Sequence, residues 1–226
     1  MQPDRKWQRP RPPAREFPAD TDPAGAIPDD VRVELIFERS QVLSGSVGGQ
    51  SVRLELNVPA HDGAAVGTIG GQPVSATWKN EDNTVVYPDV SSDFTGSFAG
   101  QPVELHGIFH LEPGYFFDHA AITGHVGAQV LDATVETASG GLGSTKTIAA
   151  DGQLGGTDFT IYAAIDSSLT TAKIRGSVAG SAIRIDAERT RRPDGGQTRL
   201  TGCYQGPLEL LVLVAGALLH HGLGIV

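Results

Sequence analysis

The sequence predicts an all-β fold in which antiparallel β-hairpins, about 12–14 strands in all, close as a barrel around a buried apolar C-terminal helix. Three observations predict it. A glycine-rich motif recurs through the chain after residue 40, apolar and polar residues alternate on both sides of each copy, and residues 207–226 are almost wholly apolar. The chain has 226 residues, which is long enough to bury a substantial core.

Residues 1–30 read as a disordered arm. They hold seven of the fourteen prolines, five Lys or Arg and six Asp or Glu, with no apolar run of signal-peptide length. Residues 31–226 read as one domain, and the first strand spans Val31–Arg39.

The motif is G-x-Φ-[GA]-G-x-x-Φ, with Φ apolar. It starts at Gly45, Gly67, Gly96, Gly124, Gly152 and Gly176, and a broken copy starts at Gly202. Self-similarity at this spacing marks an array of one supersecondary unit. That unit is a hairpin, because a Gly-Gly or Ala-Gly pair between apolar runs supplies the positive φ of a two-residue turn. With Gly48-Gly49 at the turn centre, Leu43, Gly45, Val47, Val52, Leu54 and Leu56 fall on one face. Ser44, Ser46, Ser51, Arg53 and Glu55 fall on the other. The same register puts Ala65, Ile69, Val74, Ala76 and Trp78 inward in the second copy, and Ile174, Val178, Ile183 and Ile185 inward in the sixth. The leading glycine of each copy is inward too, where it signals a curling sheet. An open sheet of this length would expose an apolar face and two edges, and closure removes both.

Between Pro207 and Gly222 the chain reads as a helix over 207–221, apolar all round, hence buried or embedded in a membrane. At about 22 Å it matches a seven-residue strand, so it fits inside the barrel. Glu209, His220 and His221, with no flanking Lys or Arg, argue against a membrane span.

Hairpins from Gly45 to Ile183 followed by the apolar helix Pro207–His221 resemble the layout of the tubby C-terminal-like superfamily, which includes LURP-one-related proteins and phospholipid scramblases. The resemblance implies a barrel around a central helix. It also implies a non-enzymatic binding or scaffold module acting at a membrane surface, on anionic lipid or on a protein partner, in the cytoplasm or membrane-associated. None of that superfamily's functional residues has a counterpart here.

Two clusters carry candidate chemistry. In the hairpin centred on Ala99-Gly100, His106 faces Asp93 and His110 faces Asp89 on the outer side, and His119 and His125 follow on the next strand. His106, His110, His119, His125 and Asp93 are therefore candidate ligands for a divalent metal, the one cofactor the sequence suggests. The alternative is ordinary cross-strand His–Asp pairing on a polar surface. Arg189, Arg191, Arg192 and Arg199 flank the turn at 193–196 and form a candidate anion-binding patch.

Other classes are disfavoured. A net charge of −9 argues against a nucleic-acid partner. The single cysteine, Cys203, makes neither an intramolecular disulfide nor a thiolate zinc cage. No G-x-S-x-G elbow or phosphate-loop spacing appears. Two further readings stay open: an elongated surface array of hairpins with an apolar C-terminal anchor, and a metal-dependent enzyme built on the His/Asp patch.

Overall fold

The computed structural model describes residues 27–38, 41–57, 62–82, 89–112, 116–139, 146–168, 170–190 and 196–208. The expected arm, up to residue 26, and the expected C-terminal helix beyond Leu208 lie outside them.

Fourteen antiparallel strands run in chain order: β1 (Arg32–Glu38), β2 (Val42–Val47), β3 (Gln50–Asn57), β4 (Asp62–Ile69), β5 (Gln72–Asp82), β6 (Asp89–Phe98) and β7 (Gln101–Glu112). They continue with β8 (Phe116–Val126), β9 (Gln129–Ser139), β10 (Lys146–Leu154), β11 (Thr157–Ile165), β12 (Thr171–Val178), β13 (Ser181–Thr190) and β14 (Gln197–Cys203). Each strand pairs with its neighbours in sequence, and β1 pairs with β14 to close the barrel. The hairpins therefore close on themselves and do not extend as an open array.

The turns at one end explain the register. Gly48 and Gly49 have φ of 55° and 73°, and Gly155 and Gly156 have 58° and 79°. These are the paired positive values of a type I′ turn, whose twist matches that of the strands it joins. In two copies Ala takes the first place, and Ala99 and Ala179 both sit at φ 50°. A lateral bond ties each of these turns to the preceding hairpin: Gly48 N–H donates to Arg32 O at 2.8 Å, Gly70 to Ser51 O at 2.7 Å and Ala179 to Asp158 O at 2.9 Å. We call this the turn end of the barrel and the opposite rim the loop end.

Period-two alternation sends one face of every strand inward. β11 shows it plainly, with Phe159, Ile161, Ala163 and Ile165 all buried. Near the turn end the apolar residue before each turn forms a ring: Val47, Ile69, Phe98, Val126, Leu154, Val178 and Tyr204 are all buried. The leading glycine stands where strands press together. A Cβ on Gly45 would collide with the Glu34 carbonyl, and one on Gly176 with the Thr160 carbonyl.

The seventh motif is completed across the closure. Gly202 faces Val33 on β1 as Gly45 faces Val52 on β3, and Tyr204 N–H donates to Val31 O at 2.8 Å. The copy that looks broken in sequence is a hairpin divided between the last strand and the first.

After β14, Gln205 and Gly206 are exposed and Pro207 and Leu208 are half-buried. Tyr204 is 3% exposed, and its hydroxyl donates to Pro207 O at 2.5 Å. Gly206 lies close to the Val178 side chain, and Leu208 packs against the core.

Candidate functional site

The strongest polar constellation is on the outer face of β6, β7, β8 and β9. Register alone places His106 opposite Asp93 and His110 opposite Asp89. It places His125 opposite Glu104 and His119 opposite His110. His119 also faces Glu136 on β9. The pairings expected within the β6–β7 hairpin are those found, because the Ala99-Gly100 turn fixes them.

Three contacts stand out among the described side chains. Asp93 Oδ1 accepts from His106 Nδ1 at 2.7 Å, with both side chains half exposed or more. His125 Nε2 lies 3.9 Å from Glu104 Oε2, beyond hydrogen-bond distance. The rings of His110 and His119 stack with centroids 4.3 Å apart and planes 24° from parallel. His106 and His110 are separated along β7 by about 13 Å, at about 3.3 Å per residue. One ion therefore cannot take ligands from both. As the side chains stand, no three His, Cys, Asp or Glu among the described residues are placed to hold a metal.

The β7–β8 ladder shifts register between His110 and Leu111, where His110 pairs with His119 and Leu111 with Phe117. Asp118 is thus the extra residue of a β-bulge beside the histidine pair. Bulges re-aim side chains and recur next to functional sites.

The candidate anion patch is divided. Arg189 shares the inward parity of Ile185 and Ala187, and it pairs in register with buried Thr198 near the loop end. Arg199 is exposed on the outer face, between Glu188 and Ile36 in register. Arg191 and Arg192 lie outside the described residues.

A different basic row was missed in the sequence. Arg175, Arg184, Cys203 and Arg32 stand side by side on β12, β13, β14 and β1. The Arg175 guanidinium is buried, donating to Ile174 O at 2.9 Å, Ile185 O at 3.1 Å and Asp186 Oδ1 at 2.8 Å. Arg32 donates to Ile27 O at 2.9 Å and lies 3.1 Å from Asp29 Oδ1. The Arg175–Arg184 pairing follows from the Ala179-Gly180 turn. The step to Arg32 does not, because it needs the closure of the barrel.

Asp166 organises the β11–β12 loop. Its carboxylate accepts from the Ser168 hydroxyl, from Thr171 N–H at 2.7 Å and from Thr170 N–H at 2.8 Å. These bonds, the Ser168 hydroxyl first, hold the carboxyl well below its usual range. Capping of this kind orders a loop and needs no ligand.

No known protein family, curated protein or solved structure matches the chain.

Proposed function

We propose that this chain is a non-catalytic binding or scaffold module, a barrel filled by its own C-terminal apolar segment that works through its outer face. The observation that supports the reading is the contact of partly buried Leu208 with the core, directly before the most apolar stretch of the chain. Fourteen strands at about 4.8 Å spacing and about 40° tilt give a round section about 28 Å across. Two facing walls fill only about 10 Å of that with their own side chains. A helix adds about 10–12 Å, which suits a slightly flattened barrel. Yet Val33, Leu154 and Val178 are at most 1% exposed. A filled interior leaves the outer strands as the recognition surface. The layout keeps its resemblance to the tubby C-terminal-like superfamily within this proposal.

The outer face favours an anionic surface as partner at one place, around the partly exposed Arg32 and Arg184, while Arg175 between β11 and β13 is buried and already bonded within the barrel. Clustered guanidinium groups attract phosphate and anionic headgroups. Co-sedimentation with phosphatidylserine and phosphatidylcholine vesicles tests it. Binding to the first only, weakened by salt and by Arg184→Glu, supports an anionic membrane partner. Equal binding to both, or none, overturns the lipid reading. Among the described residues no helix is long and apolar enough to cross a membrane.

A further inference from the structure

We propose that His110 and His119 form the core of a divalent transition-metal site on the outer face, at the bulge between β7 and β8, with Glu136 of β9 supplying a carboxylate. The two histidines occupy directly opposed positions on neighbouring strands, and their rings already lie 4.3 Å apart. Zinc binds imidazole nitrogen at about 2.0–2.1 Å, so two nitrogens on one tetrahedral ion sit about 3.3 Å from each other. Backbone spacing therefore needs no adjustment. Rotation of the stacked rings brings one nitrogen of each onto a common ion, and both side chains are partly exposed, on the solvent side of the sheet.

The facing strand supplies a carboxylate. Glu136 is exposed and directly opposite His119 on the same face, within reach of a long side chain. Two imidazoles with a carboxylate suit zinc and its neighbours in the first transition row, and are too nitrogen-rich for calcium or magnesium. Neither of the other two pairs sets two imidazoles opposite each other, since His106 faces Asp93 and His125 faces Glu104. The proposal is independent of how the barrel interior is filled.

Zinc chloride titrated into the full chain by isothermal calorimetry tests it. The expected result is one zinc per chain. His110→Ala and His119→Ala should each weaken it by more than the about tenfold that loss of an outer-shell partner costs. His106→Ala, His125→Ala and the double variant His220→Ala/His221→Ala should leave it unchanged. Absence of zinc uptake, unchanged affinity in both His110→Ala and His119→Ala, or affinity that follows His220 and His221 would each overturn it. Imidazole nitrogen NMR of the unaltered protein gives a second reading that does not depend on variants folding. Zinc-induced shifts at His110 and His119 support the site, and shifts confined to other histidines contradict it.

Discussion

Gly202 of β14 stands opposite Val33 of β1, the relationship that Gly45 has to Val52 within the first complete hairpin. A residue near the C-terminal end of the sheet and one near its start thus behave as halves of one repeat. Its glycine obeys the same steric rule as the other leading glycines, since a Cβ on Gly202 would run into the Arg184 carbonyl of the neighbouring β13.

Gly202→Ala should therefore destabilise the protein by at least about 2 kcal/mol. The collision is with backbone, which yields less readily than a flexible side chain. Gly49→Ala is the comparison, because its Cβ meets nothing within 4 Å and only its φ of 73° is unfavourable. Urea midpoints of the two variants should rank Gly202→Ala below Gly49→Ala. The reverse order would mean that the close approach of β13 to β14 at Gly202 is unimportant.

Ala99 and Ala179 carry left-handed backbone at the place where other copies have glycine. Ala99→Gly and Ala179→Gly should each raise stability by about 0.5–1 kcal/mol, since removal of a Cβ from that conformation relieves about 1–2 kcal/mol and added chain entropy offsets part. The turns belong to different hairpins, so the double variant should show additive gains. A loss of stability in either would show that the methyl groups contribute packing that outweighs the backbone cost.

The Asp166 loop has a definite pH signature. The folded-state pKa is depressed, so its contribution to stability is fully present above the unfolded value, about 3.9. It is lost as pH falls through the lower folded value. Carboxyl carbon NMR should find Asp166 still ionised at pH 3, and Asp166→Asn should speed exchange of the Thr170 and Thr171 amides at neutral pH. An ordinary titration between pH 5 and 3 would contradict the network.

Arg175 offers a test of buried charge. Arg175→Met keeps the aliphatic stem but leaves the Ile174 and Ile185 carbonyls without the guanidinium donors. The expected cost is about 1–3 kcal/mol. Asp186→Asn should cost less, because Asn keeps an oxygen acceptor for the guanidinium and the Ile174 and Ile185 carbonyls keep their donors. Thermal denaturation of both variants checks the order.

These residues also mark what the sequence makes legible. The Ala99-Gly100 turn fixes a two-residue link, so His106 opposite Asp93 and His110 opposite Asp89 follow from position alone. The same logic reaches Arg175 opposite Arg184. It stops where no turn sets the register. Pairing of β1 with β14 joins residues far apart in the chain, so neither the completed seventh hairpin nor the Arg32–Cys203 neighbourhood could be read in advance. The bulge at Asp118 is likewise invisible, because an inserted residue changes the register without a glycine or proline to announce it. The histidine patch was legible as a set of outward positions. Its division into three pairs was not, because that depends on rotamers and on distances along the strand.

The filled interior is the central claim, and deletion of residues 209–226 tests it most directly, with size-exclusion chromatography and near-ultraviolet circular dichroism of both forms. The account predicts that the truncated chain aggregates or loses its fixed tertiary signal, since the barrel walls alone cannot fill the interior. A truncated chain that stays compact, keeps that signal and becomes more soluble would contradict it, and would make the apolar segment an anchor outside the barrel.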